Sequence, residues 1–419
     1  NRCCHACRAL CNILDCLGYL VICSKDNDKF QLSTNEREFN IDNTGTTLRF
    51  GIESSSDWNI DNHNTWYTAT KVTHDNSDSL VITVQTNIAR QKRSGEMTLS
   101  NKDKRLSLAI NQAAATEEYH FKLPIIFHVL YKDASAPYQN IPAWYLQQVL
   151  DDVNAYYNGT INRNPGFNPV DMNVEFTLAT HDPSGALLKE PGIHRILRNN
   201  ITLDCQKFLE NEYDDAKWLW DQNKYINVVI FTFTEQNTAG ISFMAYTPST
   251  YPLEGLPSGD AYFTNPPTKQ AHCIALNNVT AGTEIYLPTQ EVQDRMSQSL
   301  AHELGHYLGL FHAFSKDSKV ETDYCADTPD YNRAAYEQWL NTIPSFTLTE
   351  AYQRNSRNGN TFTSTNTMDY FYGWLNLFTD DQRARVRHVL EYSPLVPGPK
   401  IPSNLTRGTG ITEPGIIMK

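Results

Sequence analysis

Eleven residues, HELGHYLGLFH from His302 to His312, gather three histidines and one glutamate in a chain of 419 residues that holds 12 histidines. On an α-helix His302 and His306 lie one turn apart and face the same way, so both imidazoles can reach one ion about 2.0–2.1 Å away. Glu303 sits beside that face, close to a metal but not obliged to bind it. Gly309 lets the chain leave the helix in a left-handed conformation that a Cβ resists, and the turn returns His312 as a third ligand. Three neutral nitrogens leave the fourth position to water, the open arrangement of a catalytic zinc. Such a zinc lowers the pKa of water toward about 7, and Glu303 can take the proton and pass it to a leaving amine. A closed structural zinc would need a fourth protein ligand and would leave Glu303 without a role.

The stretch matches HExxHxxGxxH at every fixed position, and in this it resembles the metzincin metallopeptidases. NTMDY (366–370) is similar to their methionine turn and places Met368 beneath the metal. Tyr370 then falls near the metal, where its hydroxyl could steady a tetrahedral oxyanion; a tyrosine packed under the turn is the other reading. In detail the chain looks most like the pappalysins, through CADTPD (325–330), NTMDY and FTDDQRARVRHVL, and earlier through LPIIFHVLY, WDQNKYINVVIFTF and AGISFMAYTP. That resemblance spans most of residues 120–393. It implies an α+β zincin-like domain, one catalytic Zn2+ on His302, His306 and His312, Glu303 as general base, and protein or peptide as substrate. Structural Ca2+ recurs near the DTP segment of pappalysins, where Asp317, Glu321, Asp323 and Asp327 offer oxygen here; a solvated acidic loop explains them equally well. The pappalysin cysteine pairs are not reproduced. Cys205 could pair with Cys273, or Cys273 with Cys325, and spacing does not choose.

Several elements must hold these residues in place. EVQDRMSQSLAHELGHYLGL predicts a helix with an apolar stripe through Val292, Met296, Leu300, Leu304 and Leu308. PAWYLQQVLDDVNAYY predicts another, through Trp144, Leu146, Val149, Val153 and Tyr156–Tyr157. DDQRARVRHVLEY, opening on Asp380 and Asp381, predicts a third near the end of a domain covering residues 120–395, followed by a tail over 396–419. PIIFHVLY, YINVVIFTF, AGISFMAYTP and AHCIALNN read as strands. The polar stretch from about 315 to 366 is long for a loop, so a local helix is expected around Ala334–Leu340. Strands and a helix first, then the metal-bearing helix, then an irregular segment with a final helix: this is an α+β order.

Residues 27–114 differ in kind. Short alternating runs such as WYTATKVT, SLVITVQTN, GEMTLSN and LSLAINQ, separated by Asn, Asp, Ser and Gly, predict an all-β immunoglobulin-like sandwich. The segment is similar to the BACON module of Bacteroidetes surface proteins, which implies either glycan contact or a spacer; residues 115–119 read as a linker.

The charge of −12 gives no reason to expect nucleic acid as a partner, and no run approaches the roughly eighteen apolar residues of a membrane span. Of nine cysteines, Cys3, Cys4, Cys7, Cys11, Cys16 and Cys23 crowd the first 23 residues. Residues 1–22 read as an atypical targeting segment, with Arg2 and Arg8 ahead of LGYLVIC. LVICSKDND resembles the lipoprotein boundary of Bacteroidetes, which makes Cys23 a candidate for lipidation and residues 23–26 a tether; an ordinary buried or disulfide cysteine is the alternative. The whole resembles the zinc-dependent metalloproteinase lipoproteins of that phylum. The expectation is an exported, lipid-anchored zinc endopeptidase. The competing expectations are a zinc amidase acting on a non-peptide bond and a surface glycan- or protein-binding lipoprotein whose zinc is structural.

Overall fold

The computed structural model describes residues 30–32, 36–54, 56–74, 77–102, 104–161, 166–235, 237–259, 271–281, 296–314, 322–370, 372–401 and 417–418. The expectations for residues 1–22, for the tether with Cys23, and for Val292, Asp317 and Glu321 lie outside these residues. The chain divides into two units, Asn1–Tyr119 and His120–Lys419.

The first unit is a β-sandwich. One sheet has the order β1–β3–β6–β5, from Phe30–Leu32, Thr46–Ser54, Ser77–Val84 and Tyr67–His74. The other runs β2–β8–β7–β4, from Glu38–Ile41, Arg105–Gln112, Arg93–Ser100 and Asn59–Asn62. Along β8 exposed and buried positions alternate, so Leu108 and Ile110 reach the interior as the two-residue period requires. They join Trp58, Trp66, Leu80, Ile82 and Leu99 in one core drawn from both sheets.

The second unit is built on a mostly parallel sheet. Its order is β10–β9–β13–β15–β14–β18, made of Val174–Leu178, Phe121–Tyr131, Ile226–Phe233, Ile274–Asn277, Gly240–Phe243 and Ile417–Met418. β11 (Ile193–Leu197) also pairs with β9, and β12 (Thr202–Leu203) with β13. β14 is antiparallel to β15, and β18 to β14, so the sheet ends on reversed strands. INVVIFTF in β13 is almost wholly buried, because a central parallel strand is covered on both faces.

Helix α1 (Ala143–Tyr157) buries Tyr145, Leu146, Val149, Leu150, Val153, Tyr156 and Tyr157. Trp144 was expected on that stripe but is exposed and meets Tyr145 edge-on, because the buried face begins one residue later. After the short α2 (Cys205–Leu209), α3 (Met296–Tyr307) carries the first two histidines. Its expected stripe of Met296, Leu300 and Leu304 is buried, and so is every other residue from Leu300 to Tyr307. The helix packs on α1, β14 and β15, and Tyr157 ties it to α1 by donating a 3.2 Å hydrogen bond to the Ala301 carbonyl. A helix covered on more than one side buries its polar residues too, and here these are the histidines and Glu303.

Within the polar stretch, α4 (Arg333–Thr342) is capped by Asn332, whose side chain accepts from Ala335 N at 2.9 Å. α5 (Leu348–Ala351) and the ribbon β16–β17 (Gln353–Asn355, Thr361–Thr363) follow, then α6 (Asp380–Tyr392) with a Thr379/Gln382 capping box. Beyond residue 395 Val396 is buried and Ile417–Met418 adds to the sheet. Among the described residues no helix is long and apolar enough to cross a membrane.

Candidate metal centre

α3 presents His302 and His306 one turn apart, with their Nε2 atoms 3.0 Å from each other. The helix ends at a glycine: Gly309 has φ +93°, and Leu310 N donates back to Gly305 O at 2.9 Å. Arg385 of α6 grips that turn, with Nη2 3.1 Å from Gly309 O. The reversed chain brings His312 Nε2 to 3.1 Å from His306 Nε2. Among the described residues this trio is the one group of His, Cys, Asp or Glu arranged to hold a metal.

The protonation of these rings can be read from their partners. His302 Nδ1 lies 2.8 Å from Thr367 O, and His306 Nδ1 lies 2.7 Å from Leu310 O. A carbonyl only accepts, so both Nδ1 atoms carry the proton and both Nε2 atoms present lone pairs. Burial reinforces the neutral state, pushing His302 down to about 4 and His306 well below the usual histidine range, the latter helped by His302. Lone pairs 3.0 Å apart repel unless a cation lies between them. Two nitrogens bound tetrahedrally at 2.0–2.1 Å would be about 3.4 Å apart, so the trio fits zinc with little rearrangement.

Glu303 points into the same space. Its Oε2 is buried without a hydrogen-bond partner, and burial raises its pKa well above the usual carboxylate range. A cation a few ångströms away favours the ionised form, so a metal on the histidines would restore the carboxylate. Gly240, at the start of β14, leaves room for it: a Cβ there would come within 2.6 Å of Glu303 Cγ. The cleft above has a volume of about 600 Å³, with Asn237–Gly240 along one wall and Arg333, Thr367, Tyr370 and Leu375 among its other residues. The Tyr370 ring stands 4.5 Å from that of His312 and 5.2 Å from that of His302. Burial, then the nearby Glu303, pushes its phenol upward, against the pull of Arg333.

Met368 lies fully buried under α3, where a Cβ on Gly305 would collide with its sulfur. Its carbonyl accepts from Ala313 N at 3.0 Å, and Thr367 O holds His302, so the turn fixes both ends of the histidine stretch. Asn366 pairs its amide with Gln382 of α6. Asp369 accepts from Tyr331, Ser364 and the Tyr370 amide, while Arg354 donates to the Tyr370 and Tyr372 carbonyls. The sequence reading missed Gly240, Gly305, Arg333, Arg354, Asp369 and Arg385 as parts of this site. Only Gly305 left a local signal, since a glycine inside a helical pattern marks a close approach.

The candidate calcium donors that are described have other partners: Asp323 accepts from Cys325 N and Thr328, and Asp327 from Asp381 N. Cys205, Cys273 and Cys325 are buried, and no disulfide joins Cys205 to Cys273 or Cys273 to Cys325.

Comparison with known proteins places these features. Residues 210–391 match the peptidase M43 family, described as pregnancy-associated plasma protein-A, and residues 56–113 match BACON, described as a putative N-terminal binding domain. No curated protein matches the chain. Among solved structures it is similar to Tannerella forsythia mature mirolysin in complex with a cleaved peptide, at 23% identity and a TM-score of 0.47, covering 65% of this chain and 92% of that one. A mutant Tannerella forsythia promirolysin is similar at 21% identity and a TM-score of 0.46, over 67% and 84% of the two chains. A protein from Bacteroides thetaiotaomicron is similar at 16% identity and a TM-score of 0.17, over 23% of this chain and 98% of its own. Residues 210–391 thus match the family model of a metallopeptidase, and residues 56–113 ahead of them match BACON, which supports a metalloendopeptidase.

Proposed function

We propose that the chain hydrolyses internal peptide bonds with zinc held by His302, His306 and His312 and with Glu303 as general base. The observation that carries this is the convergence of three imidazole nitrogens beside an unpartnered buried carboxylate oxygen. Zinc bound there supplies a Lewis acid that polarises the scissile carbonyl and lowers the pKa of water toward about 7. Glu303 takes up the proton and delivers it to the departing amine. The Tyr370 hydroxyl donates to the oxyanion as charge develops. Thr367 and Leu310 fix the ring orientation of His302 and His306 through their carbonyls, the outer hydrogen bonds that metal-ligating imidazoles commonly make.

Incubation with a peptide library, with and without a zinc chelator, followed by mass spectrometry tests the activity. Chelator-sensitive internal cuts are expected; cleavage indifferent to the chelator contradicts it. Lipid anchoring through Cys23 belongs to the same proposal and is supported by LVICSKDND alone. Labelled palmitate incorporated into the wild type but not into Cys23→Ala is the expected result, and equal labelling of both counts against it.

A further inference from the structure

Arg333, the first residue of α4, lines the cleft, with its guanidinium 4.6 Å from the centroid of the Tyr370 ring and 5.1 Å from that of Phe314. Its Nε donates to Glu337 Oε1 at 2.7 Å, one turn along the helix, which fixes the plane of the fork. Phe314 stacks on His312, centroids 4.7 Å apart and planes 8° from parallel, while the Tyr370 ring meets both His302 and His312. One cation therefore lies against two rings that both touch the histidine set. An exposed ion pair along a helix needs no such aromatic bed.

We propose that Arg333 is a positioning residue that holds the Tyr370 phenol against the metal centre by cation–π contact. This rests on the proposed role of Tyr370. In the full chain, Arg333→Ala should lower kcat by about tenfold, the scale of one cation–π contact, with KM and zinc content unchanged. Arg333→Lys, keeping the charge, should recover part of the loss. In a Tyr370→Phe background, where no hydroxyl remains to be placed, Arg333→Ala should change kcat little. An equal drop in both backgrounds, or no drop in the wild-type background, overturns the assignment while leaving Tyr370 its role. A Tyr370→Phe variant with wild-type kcat overturns both.

β14, whose first residue Gly240 lines the cleft, is also paired farther along by another segment of the chain. β18 pairs antiparallel with β14, Met418 opposite Ser242 and Ile417 opposite Phe243, on the side of β14 that β15 leaves open. Ile417 packs against the core cluster that contains Ile241, Phe243 and Cys273. Two residues before Ser242 on the same strand, Gly240 lines the cleft and faces Glu303. An open sheet edge is a ready acceptor for an extended peptide through main-chain hydrogen bonds. We infer that Ile417–Met418 occupies ground a long extended substrate would need and competes with it, while short substrates near Gly240 are spared. The inference rests on the proposed peptide hydrolysis.

In the full chain, Ile417→Asp should loosen β18 by placing a charge against the apolar cluster. KM for a peptide extended on both sides of the scissile bond should fall, by about tenfold if β18 is seated nine-tenths of the time. KM for a short peptide with the same bond should not move. Ile417→Ala, milder toward folding, should act in the same direction, with thermal melting showing the unit intact. Equal shifts for both peptides, or none for either, overturn the inference. Wild-type chain that cuts neither peptide overturns the proposed hydrolysis instead.

Discussion

Glu303 and Tyr370 share one cleft but differ in what their removal should do. Glu303 is a buried carboxyl beside the histidine trio, and none of the metal-facing nitrogens depends on it. Glu303→Ala should therefore keep zinc and nearly abolish turnover, as elemental analysis beside a peptide assay will show; near wild-type turnover contradicts its role as base. Tyr370→Phe removes one donor to charge that exists only in the transition state. kcat and kcat/KM should fall together, by about 10²–10³, with KM little changed. Unchanged kinetics would make Tyr370 a packing residue, consistent with its contacts to Phe314 and the histidine rings.

The histidine helix and the methionine turn are interlocked. Gly305 lets Met368 come up under α3, and an added Cβ would meet the sulfur with no space to spare. Gly305→Ala should destabilise the catalytic unit by about 1–3 kcal/mol, as overpacking does, and loosen metal binding by shifting His302 and His306. Melting temperature and zinc retention unchanged from wild type would show that the turn yields easily. Much of this arrangement was legible in the sequence: the 302/306/312 spacing, the helix stop at Gly309 and the NTMDY turn all act over short stretches of chain. The supports were not legible. Arg354 and Asp369 lie 15 residues apart and meet only after β16, β17 and the turn have folded, and no periodicity reports such a contact. Arg385 reaches Gly309 across 76 residues, and on a polar helix face it reads like any solvated arginine. Cysteine spacing was equally mute, since Cys205 and Cys273 are both buried yet form no disulfide with each other.

At the scale of the molecule, the two units carry different burdens. The sandwich holds none of the proposed catalytic groups, so a chain beginning at Glu117 should cleave small peptides about as well as the full chain; a folded, zinc-loaded and inactive product would contradict that division. The catalytic unit should weaken in acid for a reason beyond its carboxylates. Burial lowers His128 to about 3 and His272 to about 4 from the ordinary 6.5, so between these values the unfolded chain binds protons that the folded chain refuses. Stability is then full above about pH 6.5 and declines toward pH 4, by linkage. Melting of the zinc-free protein across this window should show the decline, and His128→Asn should flatten it; an unchanged slope would remove His128 from the account. Acid should also displace zinc by protonating its ligands. The most direct test of the whole proposal is zinc per chain, measured by elemental analysis on the wild type and on His302→Ala and read against peptide hydrolysis. One zinc in the active wild type and none in an inactive variant is the expected outcome; a zinc-free wild type that still hydrolyses peptides would contradict it.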